Sequence, residues 1–218
     1  MDRRNLIIGG VAVAAAAVAG GYYLTRKPDT GAPGVADGLP GQLAVAGPLG
    51  DMVMGKDDAP VTIYEYASMT CGHCAHFHKD TLPELKKEYI DTGKVKLIFR
   101  EYPLDPVATA ASMVARCADK DRYFPLVSAL FELQGVWLKD DPVKGLQKVA
   151  QQAGFTQESF SACLQNQGVL DGVNWVKERA SKEFGITSTP TFFVNGEIVN
   201  GNVPIEEFRK KIDGALAS

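Results

Sequence analysis

The chain has no lysine- or arginine-rich block and no marked excess of either charge. Its 218 residues carry 23 Lys+Arg against 26 Asp+Glu, a formal net charge of −3. A nucleic-acid binder needs a basic patch to meet phosphates, so that class is excluded. Histidine and cysteine are scarce, three and four residues respectively, which confines any site built from them to a few positions. With 45% apolar residues the chain is too hydrophobic to remain disordered. Residues 61–218 contain no internal repeat and no low-complexity segment, and this stretch is long enough to bury a single core.

The segments that precede it are different in kind. Arg3 and Arg4 stand before an uncharged run at 6–24, the order of an export signal. A helix of that length spans roughly 28 Å, close to a hydrocarbon core, so a retained membrane anchor is a second reading of residues 1–24. Ala17-Val18-Ala19 supplies a small-residue cleavage pattern, whereas Arg26 and Lys27 resemble the flank of an uncleaved segment. The paired arginines resemble a twin-arginine signal and are equally expected of a general one. Either route leads to the periplasm, an oxidising compartment. Residues 25–60 hold 7 of the 22 glycines and 5 of the 12 prolines and read as a tether without helix or strand pattern.

From residue 61 the pattern becomes that of a folded domain. Residues 61–67 alternate β-branched and aromatic side chains, as a buried strand does. Thr70 is positioned to cap a helix running from Cys71 to about Tyr89, with a kink at Pro83. A second strand at 94–102 closes a β-α-β unit. Residues 105–166 are helical in pieces punctuated by Pro106, Pro125, Pro142 and Gly154. Val169, Val173, Val176, Ala180 and Phe184 mark one face of a longer helix. Strands at 191–194 and 197–199 flank Asn195-Gly196, a two-residue hairpin turn, and a last helix covers 205–216.

The chemistry concentrates at Cys71-Gly72-His73-Cys74, where a strand passes into a helix. The unpaired amides and positive dipole end of a helix start favour an anion, so the Cys71 thiolate is stabilised. His73 adds positive charge or a hydrogen bond between the two sulfurs. A stabilised thiolate favours the dithiol over the disulfide and makes the pair oxidising. Cys74, one turn deeper, is the resolving thiol. Zinc is the competing reading, because Cys71, Cys74, His76 and His78 fall within eight residues. At about 100° per residue His76 points away from the other three, and no second ligand pair is evident elsewhere. Taken singly, His76 and His78 read as partly exposed helix residues, either of which could tune the field at the sulfurs. Trp137 and Trp175 read as packing residues.

Residues 62–78 (TIYEYASMTCGHCAHFH), the run Thr187-Ser188-Thr189-Pro190-Thr191 with the Phe-Phe-Val-Asn-Gly that follows, and the helical block between them together resemble the DsbA-like thiol:disulfide oxidoreductases of the thioredoxin superfamily. The resemblance covers essentially all of 61–218. It implies an α/β thioredoxin fold with a helical insertion at about 104–167, and a cis peptide bond at Thr189-Pro190 beside the active disulfide. There the backbone of residue 189 would pair with an extended substrate. Glu65 matches a family position at which a buried acid lies near the cysteines; from its own surroundings it is either edge-exposed or able to relay protons to Cys74. The resemblance further implies exported, unfolded clients with free thiols and reoxidation by a quinone-linked thiol oxidase of the membrane. No cofactor and no metal is expected. The middle dipeptide, Gly72-His73, is that of protein disulfide isomerases rather than the Pro-His of the best-known family oxidase, which leaves the direction of exchange open.

Cys117 and Cys163 lie on predicted helices of the insertion, each among apolar neighbours. They read either as buried free thiols or as a structural disulfide, and parity in an oxidising compartment favours the bridge. Closing a loop of about 47 residues would stabilise the fold by roughly 4 kcal/mol in the chain-entropy model. Three functions follow from the sequence: an oxidase, an isomerase or reductase on the same fold, and a non-catalytic peptide-binding or chaperone module. An intact Cys pair argues against the third, and a segment 25–60 without an oligomerisation pattern favours the first over the second.

Overall fold

The computed structural model describes residues 38–217, so the expected export signal or anchor and the start of the tether lie outside the described residues. Among the described residues no helix is long and apolar enough to cross a membrane. A five-stranded sheet in the order β1-β3-β2-β4-β5 forms the centre. Its strands are β1 (Met52–Met54), β2 (Val61–Ala67), β3 (Val95–Glu101), β4 (Thr191–Val194) and β5 (Glu197–Asn200). Strands β2 and β3 are parallel and the other pairings antiparallel.

Strand β2 is central and covered on both sides. Val61, Ile63, Glu65 and Ala67 share one face by the two-residue period, and Tyr64 and Tyr66 the other. The first face packs into the main core with Cys74, Phe77, Phe99 and Phe192. The second packs with Leu43 of helix α1 (Leu39–Ala44) and with Val176 and Ala180 of a long helix described below. The crossover helix α2 begins as α-helix at Gly72–His76 and continues through π-helical Phe77–Thr81, α-helical Leu82–Leu85 and π-helical Lys86–Ile90. The Leu82 N–H reaches back five residues to the Phe77 carbonyl. Pro83 explains the first π segment: its ring and missing N–H disrupt the ordinary ladder, and the helix widens instead of breaking.

The insertion comprises α3 (Pro106–Cys117), α4 (Tyr123–Glu132), α5 (Gln134–Trp137), α6 (Pro142–Gln152) and α7 (Gln157–Leu164). Its prolines start helices. Asp105 and Asp141 accept from the amides of Ala108 (2.8 Å) and Lys144 (3.1 Å), with Pro106 and Pro142 at the first helical position. Pro125 falls in the first turn of α4, where no intrahelical N–H is required. Cys117 and Cys163 are joined in a disulfide with Cα atoms 6.0 Å apart, tying the end of α3 to α7. Helix α8 (Gln167–Phe184) starts at an Asn166 cap and ends at left-handed Gly185. Asn195 (φ 45°) and Gly196 (φ 91°) form the hairpin turn, and α9 (Ile205–Leu216) closes the chain.

One boundary differs from the sequence reading. Residues 39–60 are not tether: α1 and β1 belong to the domain. The cause is Arg100 on β3, whose side chain is almost fully buried. Its guanidinium donates to both Asp51 carboxylate oxygens (2.9 and 2.8 Å), to the Leu43 and Val45 carbonyls (2.8 and 3.2 Å) and to the Tyr66 hydroxyl (2.9 Å). It also lies 4.7 Å from the centroid of the Tyr64 ring. A buried guanidinium needs all its donors met, and the segment before β2 meets most of them.

Candidate active site

The redox pair sits where β2 passes into α2. Cys71, not Thr70, is the helix N-cap, with extended backbone (φ −79°, ψ 120°). The Thr70 hydroxyl instead donates to Asp105 Oδ2 at 2.5 Å. Two further contacts fix this turn to the insertion. The Leu104 amide donates to Ser68 Oγ (3.3 Å), and Gln134 Nε2, at the start of α5, donates to the carbonyls of Met69 (3.0 Å) and Cys71 (3.1 Å). Gln134 is a positioning residue that no sequence motif marks, because it acts across 63 residues of chain.

The two thiols differ sharply. Cys71 is partly exposed and Cys74 is fully buried. The Cys71 thiol is lowered to about 5, first by the hydrogen bond from the Cys74 thiol, against the opposing effect of burial; the Thr189 side chain and the amides of Cys74 and His73 lower it further. Cys74 is pushed far above the ordinary thiol range by burial, with the Cys71 sulfur and the Glu65 charge adding to the effect. His73 therefore helps the thiolate through its backbone amide, and its imidazole is exposed. Gly72 is exposed at the first helical position, and a Cβ built there meets nothing within 4 Å.

The loop before β4 closes the site. Thr189-Pro190 is a cis peptide bond, and Cys71 Sγ lies 3.4 Å from the Thr189 carbonyl.

Beneath the sulfurs lies Glu65, fully buried on the central strand and not at an edge. Its Oε1 is 2.8 Å from His78 Nε2. His78 as a whole is partly exposed, as the sequence suggests, but its side chain is 3% accessible and stacks on Phe131 of α4 at 4.2 Å between ring centroids. The helical spacing already placed His78 on the side of Cys74, but nothing local shows that α4 covers it. His76 is exposed. Among the described residues no three Cys, His, Asp or Glu side chains converge to hold a metal ion, and His78 is committed to Glu65.

A reactive thiol at a helix N-cap, a buried partner one turn on and a cis-proline loop against the first sulfur define a thiol–disulfide exchange site on a thioredoxin fold. The family model described as thioredoxin matches residues 49–214. The chain belongs to the thioredoxin family and, within it, to the DsbA-like proteins. It is similar to alpha-DsbA1 of Wolbachia pipientis, at 31% identity and a TM-score of 0.74 over 81% of this chain and 95% of that one. Disulfide bond formation protein D of Bacillus subtilis is 27% identical over 83% of this chain and 82% of its own length. A protein-disulfide oxidoreductase of Rickettsia conorii is 33% identical over 76% of this chain but 60% of its own length, so the chain spans about three fifths of that relative.

Proposed function

We propose that the protein is a thiol:disulfide oxidase that introduces disulfides into exported proteins in the periplasm. The observation that carries this is the contrast between the two sulfurs: Cys71 is partly exposed and held as a thiolate, Cys74 is buried. Stabilising the thiolate stabilises the dithiol form, and so makes the disulfide a stronger oxidant. In the first step a client thiolate attacks Cys71 Sγ. The client–Cys71 bond forms, the Cys71–Cys74 bond breaks, and the electron pair leaves on Cys74, which takes a proton. In the second, another client thiol loses its proton and attacks the client sulfur, expelling the Cys71 thiolate. The client is oxidised by two electrons and the enzyme is left as a dithiol.

Glu65 is the acid that exchanges a proton with Cys74, a role supported by its full burial and by the effect of its charge on that thiol. The Thr189 backbone, against the reactive sulfur, is the strand-like partner for an extended client. Clients are unfolded exported proteins with free thiols, and a quinone-linked thiol oxidase of the membrane restores the disulfide. The segment 39–60 packs into its own domain through Arg100 and β1, which leaves no separate oligomerisation element there of the sort an isomerase uses.

The test is the reduction potential of the pair against glutathione, measured beside oxidation of a reduced, unfolded protein. A potential well above about −270 mV with client oxidation supports the oxidase; a potential near that value with none overturns it in favour of a reductase. Cys71→Ser should abolish exchange, and Cys74→Ala should accumulate client mixed disulfides through Cys71.

A further inference from the structure

The least explained polar groups of the core lie together under the active cysteines. Glu65 Oε1 and His78 Nε2 are hydrogen-bonded at 2.8 Å, with side-chain accessibilities of 0% and 3%. The remaining atoms of both groups, Glu65 Oε2 and His78 Nδ1, are buried without a hydrogen-bond partner among the described residues. A buried polar atom left unpaired is destabilising and calls for an explanation, of which a redox or catalytic role is one. The surroundings are otherwise aromatic: Phe131 stacks on the imidazole, and Phe77 and Phe99 meet it edge-on at 5.5 and 5.8 Å. His78 also lies in the π-helical part of α2, a widening found often at functional sites.

We propose that His78 and Glu65 act as one proton-holding unit, and that His78 loads Glu65 with the proton delivered to the Cys74 sulfur when the Cys71–Cys74 disulfide opens. This rests on the role given to Glu65 above and extends it to a second residue. With the disulfide closed the pair is neutral, one proton more than carboxylate and neutral imidazole together. As the client thiolate bonds to Cys71 and the electron pair of the broken bond goes to Cys74, that proton moves to Cys74. The pair is left with a single negative charge, and solvent returns the proton during the rest of the cycle. His78 is a positioning residue: it acts on sulfur through Glu65. The other titratable groups facing the pair are Cys74 of the His78 helix and Tyr123 of α4, with Cys71 beyond Cys74 and with Glu101 of β3 and Arg116 of α3 behind the tyrosine.

The experiment is a double-mutant cycle on the opening of the disulfide. A single-cysteine peptide is mixed with oxidised full-length protein, and the rate is followed from pH 5 to 8 after correction for ionisation of the peptide thiol. The variants are His78→Gln, which keeps a donor facing Glu65 but cannot carry the proton, Glu65→Gln, and both together. Thermal unfolding of each is recorded in parallel. The expected result is at least a tenfold slowing at pH 7 in each single variant, no further slowing in the double, and loss from His78→Gln of a titration present in the wild-type rate. Wild-type rate and pH profile in His78→Gln overturn the inference, and Glu65→Gln then shows which part fails: slowed, the role of Glu65 stands alone; unslowed, both fall. Slowing that tracks lost thermal stability while the pH profile is unchanged also overturns it, because His78 is then only a packing residue.

Discussion

Cys71 and Cys74 carry the same functional group three positions apart, and their surroundings drive them in opposite directions. At the cap, the sulfur of Cys71 meets a thiol, a threonine side chain and two amides; inside, Cys74 meets burial and the negative charge of Glu65. The folded-state value of Cys71 lies below the ordinary 9, so the reduced form gains stability from this thiolate in full above pH 9 and loses it as the pH falls through about 5. Thiolate absorbance of the reduced protein should therefore titrate with a midpoint near pH 5, and a midpoint near 9 would contradict the described environment. The Cys pair was readable from sequence because it carries its chemistry locally, whereas the cis bond at Thr189-Pro190 came from the family resemblance, since nothing local in that dipeptide sets its isomer. His78 was not: whether a helical histidine is exposed depends on Phe131, which comes 53 residues later.

The start of α2 is held by the insertion more than by its own residues. Cys71 forms no side-chain cap, and its turn depends on Gln134, Asp105 and Leu104. Gln134→Ala removes two hydrogen bonds to backbone carbonyls and should cost about 1–2 kcal/mol in denaturant unfolding. It should also speed hydrogen exchange at the amides of residues 71–75. The helical character of 105–166 and the 169–184 stripe were legible, and Pro106 and Pro142, read as punctuation, turn out to open helices behind Asp105 and Asp141 caps. Strand β1 was not, since three residues give no alternation to detect and its pairing with β3 is antiparallel across the intervening β2–α2 unit. The signal that could have found it is Arg100, an arginine at a buried position of β3 that needs partners from outside the strand.

The folded unit as a whole is fastened at two places apart from the redox disulfide itself. Replacing Cys117 and Cys163 together by Ala removes a bridge spanning 46 residues and should lower stability by about 3–4 kcal/mol under oxidising conditions, measured by chemical unfolding. Asp51→Ala leaves Arg100 buried with its carboxylate partner gone and should cost about 3–5 kcal/mol by the same measurement. A chain begun at residue 61 would lose every partner of Arg100 except Tyr66 and its ring neighbours, which is why the domain boundary drawn from glycine and proline content falls too late. The succession of elements after residue 61 follows from local pattern and the insertion into a thioredoxin fold from the family resemblance, whereas the fastening contacts join segments that only the fold brings together. The distribution of the four sulfurs has a practical consequence of its own. Two are locked in the bridge, one is buried and protonated, and one is accessible and ionised at mildly acidic pH. A soft electrophile applied near pH 6 to the reduced redox pair has a single target, so the mass added per molecule counts correctly folded sites and provides an active-site titrant that needs no client protein.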